Sequence, residues 1–360
     1  IIIFIFLIKN IFLGFLTWHL NNFIFSLQAN LSNKLFNIYL KQNWKFHINN
    51  NSSLLISNIL NEIKIFSSNC VGQMINIIVE IFIFMGVLAV LFVINPIASI
   101  LVAFIITTLL VIYFSITKVF ISKWGKMRQF HDGKKIQFLQ EGLGAIKDLK
   151  VLGRESQFLK IFTYHNNTGA NVGKYQSTLS QMPRLGLEFI AILFMCLLFI
   201  FYMNSGVSIN EVIPIIGVYL FAIIRLLPSS NKLIGAFKSF KFAQPATDKL
   251  ISQFNQLEGF IDINKKETSL NFVDSLEFEN VTFLYDDERR SGIKNINLNI
   301  KRNSVIGIIG ETGAGKSTLI DLIIGLHKPQ SGTIRVDNVD IQTDIRSWQS
   351  KLGYVPQEIY

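Results

Sequence analysis

Five long apolar runs constrain this chain more than any other feature of its sequence. They cover residues 1–20, 74–94, 97–121, 185–203 and 212–227. A helix that crosses a bilayer needs about 20 mostly apolar residues, and a soluble core does not need so many runs of this length. Half of the 360 residues are hydrophobic and only 16% are charged, against about 25% in soluble domains. The sequence therefore predicts a membrane protein with five visible spans.

Positive charge is distributed unevenly among the connections between these runs. The connections at 95–96 and 204–211 contain no Lys or Arg, whereas residues 118–184 contain twelve Lys or Arg against four Asp or Glu. Because loops rich in Lys and Arg stay on the cytoplasmic side, the long connections are expected in the cytoplasm. Membrane topology therefore explains the net charge of +10 better than nucleic-acid binding does, since no basic patch interleaved with aromatic residues is present.

The cytoplasmic connections are too long to be turns. Apolar residues recur at helical spacing over 23–40, 54–66 and 142–162, so these stretches are predicted to be helices that continue from the membrane. Twenty extra residues project on the order of 30 Å beyond the bilayer.

The most specific motif in the chain is Gly310-Glu-Thr-Gly-Ala-Gly-Lys-Ser-Thr318. It fits the phosphate-binding pattern G-x-x-x-x-G-K-[ST] and lies between an apolar run at 305–309, predicted to be a strand, and a helix-like run at 319–326. Glycines allow successive backbone N–H groups to point at phosphate oxygens, and the following helix adds the positive end of its dipole. We expect the backbone of Gly313, Ala314, Gly315 and Thr318 to hold phosphates, Lys316 to reach the terminal phosphates, and Ser317 to bind Mg²⁺.

From about residue 276 onward the chain resembles the start of an ABC-transporter nucleotide-binding domain. Leu-Glu-Phe-Glu-Asn-Val-Thr-Phe-Leu-Tyr285 is similar to the opening strand of that domain, Gly332-Thr-Ile-Arg-Val-Asp337 to its hairpin, and Leu352-Gly-Tyr-Val-Pro-Gln357 to its glutamine segment. The resemblance implies that Tyr285 stacks on adenine and that Gln357 senses Mg²⁺ and contacts the membrane domain. ATP and Mg²⁺ are the implied cofactors.

Spans fused ahead of a nucleotide domain resemble the exporter type of ABC half-transporter, which has six spans. The implied fold is an all-α exporter domain with five of the six helices, followed by an incomplete α/β P-loop NTPase domain. Its expected limits are 1–250 for the membrane domain, 251–275 for a linker and 276–360 for the nucleotide domain. Glu141-Gly-Leu-Gly-Ala-Ile-Lys-Asp-Leu-Lys-Val-Leu-Gly-Arg-Glu155 is similar to the stretch that leads such exporters into the fifth span, and by this resemblance it covers the second intracellular turn. The connecting turns near 43–50 and 128–137 would be the coupling helices that dock on the nucleotide domains.

The resemblance also implies a second copy or a homologous half as partner, and a place in the plasma or inner membrane. The chain starts without Met and stops before the signature, Walker B and switch-His motifs, so we expect it to be truncated at both ends. Such a polypeptide would hydrolyse no ATP by itself, and catalysis would belong to the complete protein. A membrane-tethered ATPase that transports nothing, or an inactive gene product, are the more remote alternatives.

The substrate expectation depends on four cations in or near the spans: Lys9, Arg184, Arg225 and Lys232. Their surroundings resemble those of lipid-linked oligosaccharide flippases, and a ring of cations would suit a polyprenyl-pyrophosphate headgroup. Glu188 could instead neutralise Arg184 on the same helix face, and both lysines could reach an interface. Export of a peptide, another lipid or a drug remains the alternative.

Overall fold

The computed structural model describes residues 1–94, 96–204, 209–257, 270–285 and 292–355. The chain divides into two compact units. The first consists of Ile1–Leu40 and Asn51–Gly259, and the second of Lys41–Asn50 and Phe260–Tyr360. The first is helical and the second contains a small β-sheet.

Helices, most of the chain in five long ones and the rest in short ones, make up nearly all of the described part of the first unit. They are α1 (Ile2–Leu40), α3 (Ser52–Ser57), α4 (Ile63–Ile65), α5 (Gly72–Ile94), α6 (Pro96–Gly144), α7 (Ile146–Leu152), α8 (Glu155–Asn204) and α9 (Ile209–Leu257), with π-helical turns at Asn58–Glu62 and Phe66–Val71. Among the described residues, five helical stretches are long and apolar enough to cross a membrane. The five predicted spans are thereby confirmed, and the helices continue well beyond them as expected. The predicted linker, 251–275, begins inside α9, and the domain limits stay a prediction.

Apolar side chains on these helices face outward as well as inward. Every large apolar side chain between Ile1 and Trp18 on α1 is exposed, whereas Leu91, Tyr219 and Leu226 are buried where α5 and α9 pack. Outward-facing apolar residues would be costly in water but are compatible with lipid. The fold is therefore that of an integral, multi-pass membrane domain.

The predicted turn at 128–137 is wrong. This stretch lies inside the continuous helix α6, where Arg128 bonds Glu62 with its Nη2 3.1 Å from Oε2 and His131 contacts His165 with their Nδ1 atoms 2.9 Å apart. The family resemblance implied a turn here, but Arg128 and His131 instead pair with other helices. The chain instead breaks at Ala145 and at Gly153, whose φ of +61° is the left-handed conformation that ends many helices. The predicted helix at 142–162 is correspondingly interrupted, and the short α7 lies between the two breaks.

The second unit is built on an antiparallel sheet. Its strands are β1 (Ser275–Leu284), β2 (Gly292–Lys301), β3 (Ser331–Val336) and β4 (Val339–Asp340), in the order β2-β1-β3-β4. Helices α2 (Trp44–Asn49), α10 (Lys316–Ile323) and α11 (Ile345–Gln349) complete it. Both turn residues between β3 and β4, Asp337 and Asn338, have positive φ, as a tight hairpin requires, so the predicted hairpin is confirmed.

The apolar core of this unit lies between the sheet and helices α10 and α11. Phe278, Val281 and Ile334 from the strands pack with Leu322 of α10 and Trp348 of α11. All five side chains are buried. This packing fixes α10 against the sheet.

The predicted strand at 305–309 does not form. Val305 and Ile309 are almost fully exposed, at 101% and 97%, and no strand among the described residues pairs with this run. Five apolar residues favour a buried strand only where a neighbouring strand can supply the hydrogen-bond ladder. The run therefore leads into the phosphate loop without regular secondary structure.

Candidate nucleotide-binding site and membrane-embedded charges

Backbone conformation at two glycines shapes the loop at 310–318. Gly313 and Gly315 have φ values of +87° and +92°, which residues with a Cβ rarely adopt. A Cβ on Gly315 would also lie 2.6 Å from Cγ2 of Ile293, which is too close for any side chain. Only glycine satisfies both conditions, and this explains its place before the lysine.

Lys316 lies at the junction of loop and helix. Its Nζ donates to the carbonyl oxygens of Gly310 and Glu311, at 2.7 and 2.8 Å, so the ammonium group lies across the loop. Helix α10 begins at Lys316, and no side chain caps the helix at Gly315. Its first backbone N–H groups are left for an external acceptor, and with the positive end of the helix dipole they favour an anion. These features fit the triphosphate of ATP.

The far end of α10 is anchored by α11. The indole Nε1 of Trp348 donates to the carbonyl of Ile323 at 2.7 Å, and Nε2 of Gln349 donates to that of Ile324 at 3.1 Å. Carbonyl groups at a helix end lack partners within the helix, so these bonds satisfy two of them. They hold the helix that carries Lys316, Ser317 and Thr318.

Tyr285 follows the last residue of β1 and reaches the phosphate loop helix. Its hydroxyl accepts a hydrogen bond from Oγ1 of Thr318 at 3.3 Å, and the residue is 37% exposed. Ser317 is exposed and Thr318 is buried. Tyr285 and the predicted phosphate-binding residues thus lie together, whereas Gln357 lies outside the described residues.

His327 is a buried imidazole beside Tyr285 that no sequence motif indicated. Burial lowers the pKa of His327, while Asp321 on α10 raises it and Lys45 on α2 lowers it further. Nε2 of His327 lies 4.0 Å from Oδ2 of Asp321. The net result favours the neutral imidazole. Lys45 belongs to the segment Lys41–Asn50, which groups with the second unit. The docking role of this segment stays a prediction.

Three of the four predicted cavity cations have identifiable neighbours. Nε of Arg184 lies 2.7 Å from Oε1 of Glu188, which matches the alternative in which Glu188 neutralises it. Nζ of Lys232 lies 2.9 Å from Oε1 of Glu80. Lys9 lies 5.0 Å from the centre of the Phe6 ring. Two of the four charges are thus already balanced by carboxylates.

Arg225 differs from the other cations. It lines a groove of about 360 Å³ between α5 and α9, whose remaining lining is apolar: Ile83, Gly86, Val87, Val90, Leu91, Val218, Phe221 and Ala222. Among the described residues, no carboxylate lies within ion-pair distance of its guanidinium. Within the described part of the chain, Arg225 therefore combines a charge that has no carboxylate partner with apolar walls.

Glu80 is a second functional candidate that was absent from the predicted site residues. Its side chain is 5% exposed, and it accepts hydrogen bonds from Oγ of Ser229 at 2.7 Å and from Nζ of Lys232. It is the one carboxylate in the apolar run 74–94. Because ionisable groups within spans are rare and usually paired, that isolation was the signal that could have identified it.

The sequence profile described as "ABC transporter transmembrane region" matches residues 1–225, and the one described as "ABC transporter" matches residues 293–360. The first match alone covers more than half of the chain. The fused helical membrane domain and phosphate-binding loop define an ABC transporter, and this chain belongs to that family.

Individual relatives agree with this assignment. The chain is similar to the uncharacterized ABC transporter ATP-binding proteins YfiB and YfiC of Bacillus subtilis (strain 168). Identity to YfiB is 31% over 233 residues, 61% of this chain and 38% of that protein. Identity to YfiC is 26% over 330 residues, 85% of this chain and 50% of that protein. The chain thus spans about half or less of the length of these relatives.

A solved structure has the same fold. It is described as "Structure of a bacterial Atm1-family ABC exporter with ATP bound", and it superposes with a TM-score of 0.69 at 19% identity. The match covers 94% of this chain and 59% of that one. The fold is therefore that of an Atm1-like exporter.

Proposed function

We propose that this chain is part of one half of an ATP-driven exporter. Two halves, either two copies or two homologous chains, would close their nucleotide domains over ATP. The cavity of the membrane domain would then open alternately to the two membrane faces. The observation that carries the proposal is the phosphate-binding loop, with Lys316 across it and an uncapped α10 behind it, on the same chain as five candidate spans.

The residues of the loop have distinct roles in this proposal. Lys316 and the N–H groups that begin α10 bind the phosphates, Ser317 and Gln357 hold Mg²⁺, and Tyr285 stacks on the adenine. ATP supplies the free energy released by transfer of its terminal phosphate to water. Residues needed for that transfer are expected in the rest of the complete protein, as in the family.

For the substrate we propose a lipid-linked oligosaccharide with a polyprenyl-pyrophosphate anchor. Arg225 supports this, because a guanidinium without a carboxylate partner offers paired donors to phosphate oxygens. It lies about fourteen residues, or roughly 21 Å, from the start of α9 near Glu211, so it cannot easily reach the outer interface. The apolar walls of its groove are compatible with an acyl or prenyl chain. They also favour the alternative, export of a peptide, drug or other lipid.

Flipping measured in proteoliposomes distinguishes these substrates. The intact protein would be reconstituted with a lipid-linked oligosaccharide and, in parallel, with a matched lipid that lacks the pyrophosphate. Arg225→Ala should slow flipping of the pyrophosphate lipid about tenfold or more, since a hydrogen bond to a charged group contributes about 1.5–3 kcal/mol. It should not change flipping of the uncharged lipid, and Arg225→Lys should rescue only in part. Unchanged flipping of the pyrophosphate lipid would refute the headgroup proposal and leave the exporter proposal standing.

A further inference from the structure

Three aromatic rings pack together next to the phosphate-binding loop: Phe283, Tyr285 and His327. His327 stacks on Phe283 with ring centres 4.3 Å apart and planes 26° apart. Tyr285 meets both rings edge-on, 5.3 Å from His327 at 89° and 5.1 Å from Phe283 at 84°. Edge-to-face pairs at such distances are favourable beyond the area that they bury. We call these three side chains the ring cluster.

The ring cluster limits how Tyr285 can turn. Phe283 and His327 are 7% and 4% exposed, and Tyr285 is 37% exposed, so the two buried rings form a support on which the third lies. The hydrogen bond from Thr318 holds the hydroxyl end. An aromatic ring with two rotatable bonds and three contacts of this kind has one favoured orientation, and that orientation leaves part of the ring open.

The contribution of His327 comes from its ring rather than from its polar atoms. Nε2 is buried and has no hydrogen-bond partner among the described residues, and the nearest carboxylate oxygen, on Asp321, is 4.0 Å away. An unpaired buried polar atom costs free energy. The flat face of the imidazole, by contrast, stacks on Phe283, and its ring packs against the edge of Tyr285.

We infer that His327 is a positioning residue for nucleotide binding, whose ring holds Tyr285 in the orientation that stacks on adenine. This inference rests on the proposed ATP-binding role of Tyr285. It predicts a specific pattern: His327 matters for ligands that carry the base and does not matter for the phosphates, and any flat ring of similar size can replace it.

The test compares two ligands and three substitutions in the intact protein. Equilibrium binding of Mg-ATP and of inorganic tripolyphosphate would be measured for wild type, His327→Phe, His327→Leu and His327→Ala. Leu preserves buried apolar volume but has no flat face. We expect His327→Leu and His327→Ala to bind ATP about 2- to 10-fold more weakly, the range that one aromatic contact provides, with unchanged binding of tripolyphosphate. His327→Phe should bind both as wild type does.

The variant Tyr285→Ala distinguishes two ways in which the test can fail: His327 does not position Tyr285, or Tyr285 does not bind ATP. If Tyr285→Ala weakens ATP binding but His327→Leu does not, the positioning role is wrong and the nucleotide site stands. Equal weakening of both ligands in His327→Leu, or failure of His327→Phe to rescue, would likewise overturn the inference. If wild type does not bind ATP, or if Tyr285→Ala binds it normally, the proposed role of Tyr285 itself fails. The double variant Tyr285→Ala/His327→Leu should bind ATP no more weakly than Tyr285→Ala.

Discussion

Gly315 and Lys316 are neighbours with different roles in the phosphate loop. Gly315 supplies a backbone conformation and a space that no side chain could occupy, because Ile293 lies against it. Lys316 supplies the charge, and its contacts to Gly310 and Glu311 keep that charge over the loop. The geometry of the loop therefore depends on the first residue and its affinity for phosphate on the second.

Lys316→Ala should lower the ATPase rate of the intact protein about 100-fold or more, the usual effect of removing a group that stabilises developing charge. The measurement is phosphate release from purified protein in lipid. Lys301→Ala is the matched control, since Lys301 is an exposed lysine of the second unit that lies at the end of β2, outside the loop. A Lys316→Ala protein with near-normal turnover would show that the loop does not bind ATP.

Asp337 combines a turn with a set of hydrogen bonds. It has a φ of +46°, and its carboxylate accepts the backbone N–H groups of Val273, Asp274 and Ser275. Desolvation alone would raise the pKa of Asp337, but the three donors and Arg302 lower it. A carboxyl group with a lowered pKa stabilises the folded state above its unfolded pKa, and this stabilisation is lost as the pH falls through its folded pKa.

Asp337→Asn keeps a residue that tolerates the left-handed turn and removes the charge. At neutral pH the amides of residues 273–275 should exchange with solvent about fivefold faster, equivalent to about 1 kcal/mol for exposed, charge-assisted bonds. Because the pKa of Asp337 is lowered, the difference from wild type should persist near pH 4, the ordinary range of an Asp carboxyl, and should shrink only at lower pH, as the pH falls through the folded pKa. Amide hydrogen exchange, corrected for intrinsic rates, measures both effects. Equal protection in the two proteins at neutral pH would contradict the proposed role of the carboxylate.

At the scale of elements, a proline in α8 creates an attachment point for two other helices. Pro183 has no N–H, so it cannot donate to the carbonyl of Leu179 four residues earlier. That oxygen instead accepts bonds from the hydroxyl of Tyr113 on α6 at 2.9 Å and from Nζ of Lys238 on α9 at 3.1 Å. Lys238 is 2% exposed and also lies 5.3 Å from the Tyr113 ring centre. One freed backbone acceptor thereby links three helices.

A double-mutant cycle tests this link. Pro183→Ala restores an N–H that can bond Leu179, and Lys238→Met removes the lysine donor while keeping its length. We expect the effect of Lys238→Met on thermal stability to differ by about 1 kcal/mol between the wild-type and Pro183→Ala backgrounds. Burying a lysine is itself costly, so the difference between backgrounds, rather than the sign of either single change, is the measurement. Additive effects would show that Lys238 stabilises the bundle without using the freed carbonyl.

Some elements could be predicted from the sequence and others could not. Apolar length predicted the spans because a bilayer imposes length on any helix that crosses it. The resemblance placed the second intracellular turn within 141–155, and the breaks at Ala145 and Gly153 lie there. The turn at 128–137 is wrong, and only the facing helices reveal that Arg128 and His131 have partners. The predicted strand at 305–309 does not form. A strand needs a neighbouring strand to supply its hydrogen bonds, and the sequence of this run does not show whether one is present.

In the candidate site, too, some residues could be predicted from the sequence and others could not. The phosphate loop could be predicted from spacing alone, because its function needs fixed residues at fixed intervals. His327 and Lys238 could not, since each acts through a residue distant in sequence, and neither belongs to a spaced motif. Glu80 was visible as a lone carboxylate in an apolar run, but its pairing with Lys232 appears only once α5 and α9 are packed.

At the scale of the whole chain, packing within the first unit indicates the relative directions of the helices that cross the membrane. Glu80 contacts Ser229 and Lys232, whereas Leu91, eleven residues later on α5, packs with Tyr219 and Ala222, which come earlier on α9. The two helices therefore run antiparallel. The junction of α5 with α6 and that of α8 with α9 are then expected at the same membrane face, opposite the long basic extensions.

Cysteine accessibility tests this topology directly. In a protein whose native Cys70 and Cys196 are replaced by Ala, Asn95→Cys and Ser208→Cys should react with a membrane-impermeant thiol reagent added outside intact cells. Lys135→Cys should not, because positive charge keeps the extension of α6 in the cytoplasm. The side chain of Lys135 is 35% exposed, so the same variant should react once the cells are permeabilised, which shows that topology rather than burial protects it. Reaction of Lys135→Cys in intact cells would invert the orientation of the whole chain and place the nucleotide domain away from cytoplasmic ATP.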